Sequence, residues 1–493
     1  MQRNVTRDEV AKYITSLNPE RGLWIDNEGL PGSNGTLPIY DPSTGQVIAQ
    51  MANASALDAT KAVDSAQRAF EQWRHTTPRE RSIVLRRAFD LMIERKHELA
   101  GLMSLENGKA LADGYAEVAY GAEFFRWFSE EAVRNDGEYN IAPASGTRTI
   151  VTSQPVGVAA LITPWNFPAA MATRKIGPAV AAGCAVVLKP AQETPLTALA
   201  VAQILAEAGL PAGVVNVVTS TSSRDISGPW LEDERVRMIS LTGSTPVGVM
   251  LMRQAAERIV TSAMELGGNN PLIIGPGADI DQAVQGAMLA KFRNGGQACT
   301  AANRIYVHES VADAFLEAYG ARVAALKVGD PFGEGMDIGP VVNAKAKETL
   351  TGLLERAIAE GAQVVAQAAI PEGDAGLFVP PTVLRVEGSD LEIMRTEIFG
   401  PLSPVTTWND EEQLVKDAND TDFGLTAYVF DRDLQWCLKL AERLEAGMVG
   451  INRGLVSDPA APFGGMKQSG IGREGGKVGI DEFQETQYFS VAW

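Results

Sequence analysis

Apolar residues recur at three- and four-residue spacing from Ala56 to Val133, through Ile83, Leu85, Phe89, Leu91, Met92 and Leu99. That period puts them on one face of a helix, so this stretch is predicted helical. After Val158 the pattern changes to short apolar runs separated by helical stretches. A strand at 158–163 leads to a helix at 169–182, a strand at 185–189 to a helix at 195–208, and a strand at 214–218 to a short helix. A strand at 238–242, a helix at 246–254 and a strand at 261–266 close the series. From Pro271 a second alternation begins, with a strand at 272–274, a helix from Ile280 to Asn294 and a strand at 304–307. Helices at 312–326 and 344–360 follow, then strands near Val364, Thr382, Val405 and Tyr428, a helix at 434–446 and a strand at 448–451. Strand–helix alternation implies parallel sheets with helices on both faces, so two α/β domains are expected.

The flanks read differently. Met1 to Asn18 is charged and predicted to be a helix, not a signal peptide. Tyr40-Asp41-Pro42-Ser43-Thr44-Gly45 marks a turn between short strands. Arg148 to Val158 is β-like, with Gly146 suited to the turn before it, and Thr486 to Trp493 reads as one more strand. That tail can pair with 148–158 or with the sheet of another subunit.

At 493 residues the chain exceeds one hydrophobic core, and two or three domains are expected. Its 45% apolar and 21% charged content is that of a soluble globular protein. A net charge of −18 argues against nucleic acid as a partner. It leaves an anionic substrate open, because the local field of a site can oppose the global one. No apolar run is long enough for a membrane span, and a cytoplasmic location is expected. Three cysteines, Cys184, Cys299 and Cys437, with no CxxC pair give neither a disulfide framework nor a zinc site, so no metal is expected. His75, His97 and His308 stand in charged surroundings, and no local signature supports a Cys–His protease.

Residues 291–300 read Lys-Phe-Arg-Asn-Gly-Gly-Gln-Ala-Cys-Thr. Gly295 and Gly296 can take backbone angles that a β-carbon forbids, so the helix stops there. Cys299 follows just past this turn, where a substrate can approach backbone and sulfur together. Two readings stand: a catalytic nucleophile, or a small core residue, since free cysteine is among the most buried residue types. Cys184, at the start of an apolar strand, and Cys437, in an amphipathic helix, read as core.

Five further stretches gather at strand ends, where open parallel sheets bind ligands. They are Pro164-Trp165-Asn166-Phe167-Pro168, Lys189-Pro190, Thr242-Gly243-Ser244, Glu265-Leu266-Gly267-Gly268 and Glu397-Ile398-Phe399-Gly400-Pro401. Together with Cys299, in this order and spacing, they resemble the aldehyde dehydrogenase superfamily over nearly the whole chain. Within it the chain is similar to succinate-semialdehyde dehydrogenases and their glutarate-semialdehyde relatives. The resemblance implies an α/β fold of two Rossmann-like domains, one for cofactor and one for catalysis, plus a small β element for oligomerisation. Residues 1–137 and 157–267 would form the NAD(P)-binding domain and 268–453 the catalytic domain. Residues 138–156 and 477–493 would be oligomerisation strands, and 454–476 a loop returning to the cofactor domain. A homo-oligomer, dimer or tetramer, is expected, with no nucleic-acid or membrane partner. Gly470-Ile471-Gly472-Arg473-Glu474-Gly475 matches G-x-G-x-x-G but follows Pro462-Phe463-Gly464-Gly465 close to the C-terminus, and is read as a loop.

The implied roles are chemically coherent. An aldehyde carries no leaving group. A thiolate that adds to its carbonyl gives a thiohemiacetal, from which hydride passes to a nicotinamide and leaves a thioester for water to hydrolyse. Cys299 would supply the thiolate and Glu265 would be the base for thiol and water. The side chain of Asn166 and the backbone N–H of Cys299 would hold the developing oxyanion. The alternatives are a surface carboxylate for Glu265 and a turn former for Asn166. By resemblance, Lys189 and Glu397 bind the cofactor's ribose hydroxyls, and Gly243 and Ser244 open a helix at its pyrophosphate. Phe399 packs near the nicotinamide, and Thr163, Pro164, Trp165 and Leu266 complete the cofactor site.

Arg174, Arg293 and Ser457 match positions that grip the distal carboxylate of a semialdehyde, a group that suits a planar guanidinium. A structural ion pair is the other reading of either arginine. Gln192 stands where a glutamate would repel a 2′-phosphate, and Arg224 lies near the next strand–helix turn, so the expected cofactor leans to NADP over NAD. Some relatives carry a second cysteine two residues after the nucleophile. Here that residue is Ala301, and no disulfide switch is expected. The implied reaction is NAD(P)-dependent oxidation of succinate semialdehyde, or a close carboxylated aldehyde, to the dicarboxylic acid. Alternatives are oxidation of glutarate semialdehyde or a neutral aldehyde, a thioester-forming or esterase activity, and a catalytically silent binding member of the fold.

Overall fold

A computed structural model describes residues 5–373 and 376–492. Residues 1–4 of the predicted N-terminal helix and Trp493 of the predicted last strand lie outside the described residues. Five parallel strands build the first sheet, in the order Val215–Val217, Ala185–Lys189, Val158–Ile162, Val236–Thr242 and Thr261–Glu265. Ala185–Lys189 is buried at every position and apolar up to its last residue, because a strand covered on both faces needs no alternation. The chain order reverses between Val158–Ile162 and Val236–Thr242. The connections leaving these strands therefore diverge and open a crevice at their carboxyl ends. Strands Leu23–Ile25 and Glu28–Leu30 extend one edge of the sheet, and Gly470–Ile471 extends the other through Met264 and Glu265. The G-x-G-x-x-G stretch, expected to be a loop, thus contributes an edge strand.

The second sheet runs Gln363–Gln367, Thr382–Arg385, Leu402–Trp408, Ala302–His308, Asn270–Ile274, Thr426–Phe430 and Met448–Ile451. All are parallel except the first. The two sheets with their helices are the two Rossmann-like layers expected of an α/β chain. Only residues 266–269 separate Thr261–Glu265 from Asn270–Ile274, so the carboxyl edge of one sheet meets the amino edge of the other.

The long helical region divides into Ala56–Trp73, Pro78–Glu94, Lys96–Asn107 and Leu111–Glu131. Thr77 forms a capping box with Glu80 at the second of these, and Gly108, at φ +86°, closes the third. The predicted β stretch 148–158 breaks at Gly157, φ +133°, where the chain turns into the first sheet. Gln484–Val491 pairs with Arg148–Pro155 of the same chain along its whole length, and Glu138–Ile141 completes a three-stranded sheet. Tyr139, Ile141, Tyr488 and Phe489 are exposed there. Cys184 and Cys437 are fully buried. No helix among the described residues is long and apolar enough to cross a membrane.

Candidate active site

Helix Ile280–Phe292 ends two residues before its predicted limit, and Arg293–Gly296 form a tight turn. Asn294, Gly295 and Gly296 have φ of +53°, +62° and +77°. A β-carbon on Gly296 would lie 2.3 Å from the carbonyl oxygen of Gly400, so this glycine lets the Cys299 loop settle on the loop that carries Glu397 and Phe399. Asn270 Nδ2 donates to the carbonyls of Cys299 (2.7 Å) and Ala301 (2.9 Å) and fixes the loop at the amino edge of the second sheet. Cys299 is half-buried against the cluster of Leu425, Met448 and Phe463. Burial pushes its thiol up to about 12. Arg174 and Arg293 work against that rise, and Glu397 and Glu265 add to it. The resting thiol is therefore protonated at neutral pH and needs a proton acceptor.

Glu265 ends the last parallel strand of the first sheet. It is buried, and neither of its carboxylate oxygens has a hydrogen-bond partner among the described residues. The two glycines after Leu266 bring three segments together. A β-carbon on Gly267 would meet Glu397 Oε2 at 2.6 Å, and one on Gly268 the Cys299 carbonyl oxygen at 2.7 Å. Burial raises the Glu265 carboxyl well above the usual carboxylate range. Glu474 adds to the rise, and Lys175, Arg174 and Arg473 oppose it. An unbonded carboxyl with a raised pKa, within electrostatic reach of a thiol, is suited to take protons near neutral pH.

Asn166 lies just before helix Pro168–Ala182. Its Nδ2 donates to the Gln297 carbonyl (3.1 Å) and its Oδ1 accepts the Phe167 N–H (3.1 Å). One amide hydrogen is left for an oxyanion. Its carbonyl accepts from Lys109 Nζ (2.7 Å) and Asn294 Nδ2 (2.9 Å). Lys109 pairs with Glu117, both fully buried, and Glu117 accepts the N–H groups of Ala169 (2.9 Å) and Ala170 (3.2 Å) at the open end of the helix. The Asn166 loop and the Cys299 loop are thus fastened to each other and to one buried ion pair. Asn166→Ala is expected to lower kcat by about 10²–10³-fold with little change in KM, as measured by steady-state kinetics. A change confined to KM would make Asn166 a ground-state contact.

The predicted cofactor residues line the crevice of the first sheet and its seam with the second. Lys189 is 5% exposed, yet among the described residues its ammonium reaches only the Pro190 carbonyl, at 3.4 Å. Burial lowers it to about 8, against Glu193. Glu397 accepts the Gly268 N–H (3.0 Å), and burial raises it to about 7. Both groups keep hydrogen-bonding capacity that ribose hydroxyls would satisfy. Thr163 donates its N–H to the Lys189 carbonyl (3.1 Å) and ties two strand ends together, with Pro164 next in the chain. The rings of Trp165 and Phe399 meet edge to face at 5.4 Å, and Phe399 holds φ +53°. Ser244 is the N-cap of helix Thr245–Ala256, but its side chain makes no capping bond, so that helix end is open to an anion. The Gly243 N–H is already engaged by the Glu265 carbonyl (3.0 Å), and Leu266 packs under Gly248 of the same helix. Gln192 is exposed and, with Glu193, Thr221 and Asn343, lines a cavity of about 630 Å³. Arg224 is exposed in the first turn of helix Ser223–Glu232. These residues fit a dinucleotide.

The two arginines differ. Arg293 is half-buried with its guanidinium 4.9 Å over the Phe167 ring, and it has no hydrogen-bond or ion-pair partner among the described residues. Arg174 is 2% exposed and bonded at two nitrogens, to Glu474 Oε2 (3.3 Å) and to the Tyr120 hydroxyl. Ser457 is buried in the loop that follows strand Met448–Ile451. Glu474, Lys175 and Tyr120 were not foreseen at the site. Lys175 Nζ donates to Glu474 Oε1 (2.6 Å) and to Ser240 Oγ (2.7 Å). The signals in the sequence were slight: two consecutive cations in an otherwise apolar helix, and a glutamate inside the stretch read as a loop.

A model of the aldehyde dehydrogenase family matches residues 30–489. The chain is 50% identical over 446 residues to a succinate-semialdehyde dehydrogenase of Paenarthrobacter nicotinovorans, covering 90% of this chain and 99% of that one. It is 45% identical over 470 residues to a glutarate-semialdehyde dehydrogenase of Pseudomonas putida, covering 95% and 97%. Among solved structures, an NADP-dependent enzyme of E. coli superposes with a TM-score of 0.94 at 42% identity, covering 97% and 99%. With a thiol, a buried carboxyl and an amide donor at the seam of two such layers, and with relatives of this extent, the chain belongs to the aldehyde dehydrogenase family.

Proposed function

We propose that the protein oxidises succinate semialdehyde, or a close carboxylated aldehyde, to the dicarboxylic acid with NADP or NAD, through a thioester on Cys299. The observation that carries this reading is Arg293. An unpartnered guanidinium six residues before the nucleophile, stacked on Phe167, offers its planar fork to a carboxylate. The names of the two relatives, which act on four- and five-carbon semialdehydes, support the same substrate class.

The chain's own groups supply most of the reaction. Glu265 takes the Cys299 proton, and the thiolate adds to the aldehyde carbon. Asn166 Nδ2 and the Cys299 N–H bond the oxyanion. A nicotinamide cofactor held by Lys189, Glu397 and the helix end at Ser244 would supply a hydride acceptor, which brings the Cys299 adduct to the thioester level. Glu265 gives the thiol proton up to solvent and then takes one from the attacking water, the tetrahedral adduct collapses with the Cys299 thiolate as leaving group, and the free acid departs. NADP is favoured over NAD, because Gln192 is neutral and Arg224 is an exposed cation in the first turn of helix Ser223–Glu232. A cytoplasmic location suits a reaction that needs a reduced thiol. Residues 1–137 with 157–267 and residues 268–453 are the two functional domains of this reading, with the site at their seam. The exposed apolar residues of the three-stranded sheet, Tyr139, Ile141, Tyr488 and Phe489, support assembly into a dimer or tetramer, measurable by light scattering.

Purified protein should be tested with succinate semialdehyde, glutarate semialdehyde and a neutral aldehyde of similar size, each with NADP and NAD, by reduced-nicotinamide absorbance. The carboxylated substrates are expected to show kcat/KM at least about 10²-fold above the neutral one. Arg293→Met should lower the carboxylated values by about 10–10²-fold, the worth of a charged hydrogen bond, and change the neutral value far less. Equal rates for all three would leave a general aldehyde dehydrogenase.

A further inference from the structure

An arginine that served only to grip a substrate carboxylate would keep its guanidinium fork open, as Arg293 does. Arg174 does not. Nη1 donates one hydrogen to Glu474 Oε2 (3.3 Å) and Nη2 one to the Tyr120 hydroxyl, and Nε is buried without a partner among the described residues. The guanidinium carbon lies over the rings of Phe463 (4.1 Å) and Phe124 (5.2 Å). Tyr120 is itself fixed edge to face on Phe124 at 5.1 Å. The other Glu474 oxygen takes Lys175 (2.6 Å), so each oxygen of this buried carboxylate meets one cation. Glu474 is in turn the acidic neighbour of Glu265, whose oxygens have no hydrogen-bond partner among the described residues.

We infer that Arg174 is a positioning residue for the Glu265–Glu474 pair: its bond to Glu474 holds that carboxylate in place and sets a cation beside both acids, whatever aldehyde is bound. The inference rests on the reading above only in taking Cys299 and Glu265 as nucleophile and base. Its consequence is a dependence of the base on Arg174 even for substrates that carry no carboxylate. The charged groups facing Glu265 are Glu474, Lys175, Arg174 and Arg473, and the titratable thiol of Cys299 faces it as well. Removing Arg174 takes a cation from Glu265, Glu474 and Cys299 together, so each ionises at higher pH. Removing the Glu474 charge takes an anion from Glu265 and frees both cations to act on it, so the base ionises at lower pH.

The test is the pH profile of kcat for a neutral aldehyde with the full-length enzyme and saturating NADP, in R174Q, R174K and E474Q. R174Q should move the acid limb upward by about one pH unit, and E474Q should move it downward. R174K, which keeps the charge, should restore the limb of the parent enzyme while its KM for succinate semialdehyde stays raised. Disturbed packing alone would not give opposite signs for R174Q and E474Q. If R174Q does not fold, R174K and E474Q decide: a limb at the parent position in the first and lowered in the second supports the inference. An unmoved neutral-aldehyde profile in R174Q, with only KM for the carboxylated substrate raised, would overturn it, as would an upward or absent shift in E474Q. Failure of the substrate proposal is read separately, from the parent enzyme's lack of preference for carboxylated aldehydes.

Discussion

Cys299→Ala is expected to abolish reduced-nicotinamide formation, with kcat lower by about 10⁴–10⁶-fold, the scale seen when a nucleophile is removed from an enzyme that acts through a covalent intermediate. The size follows from the chemistry. Without a thiol no adduct forms, and the aldehyde has no leaving group through which another side chain could oxidise it. No other thiol can stand in. Cys184 and Cys437 are fully buried and packed into other cores, and their sulfurs lie against the carbonyls of Phe483 (3.3 Å) and Asp431 (3.6 Å). Dinucleotide affinity, followed by fluorescence titration, should stay close to that of the parent enzyme, because the groups proposed to hold the cofactor, Lys189, Glu397 and the helix end at Ser244, are untouched. Turnover retained within tenfold of the parent would remove Cys299 from the reaction.

Glu265→Gln is expected to lower steady-state kcat by about 10²–10⁴-fold, the usual contribution of a general base. The glutamine fills the same buried space but cannot accept a proton from thiol or water. Stopped-flow absorbance should show a slowed first turnover that yields about one reduced nicotinamide per site, followed by a much slower steady phase as the thioester waits for water. In the parent enzyme the acid limb of kcat should lie above the ordinary carboxylate range. Burial and Glu474 raise the Glu265 carboxyl, and the active base is the ionised form, so activity is lost as pH falls through that raised value. In E265Q this limb should disappear. A parent profile flat down to the ordinary carboxylate range would show that Glu265 is not the base.

The two sheets were legible because their buried parallel strands are near-continuous apolar runs broken by helical periods, as in Ala185–Lys189. The edge strand Gly470–Ile471 was not, since two residues carry no period. Cys299, Glu265 and Asn166 stand out as candidates through the order and spacing of their motifs, which resemble the family's, whereas residue type beside glycine and proline turns leaves a core thiol, a surface carboxylate and a turn former open. The placement of the site residues was only half legible. Asn166 and Glu265 sit at carboxyl ends of the first sheet, as the rule for open sheets leads one to expect. Cys299, Glu397 and Phe399 instead precede their strands, Ala302–His308 and Leu402–Trp408. The reason is the direct passage from Glu265 to Asn270, which sets the amino edge of the second sheet against the carboxyl edge of the first. The difference between Arg174 and Arg293 lay beyond sequence, because it is made by Glu474, 300 residues further along the chain.

The claim at the centre of this account is a thioester between Cys299 and the oxidised substrate. The most direct test is the intact mass of E265Q, quenched in acid after mixing with succinate semialdehyde and NADP, followed by peptide mapping. The expected result is a mass gain of one succinyl group, on Cys299 alone, absent when NADP is omitted. Reduced nicotinamide formed in the first turnover with no adduct on Cys299, or an adduct on another residue, would contradict it.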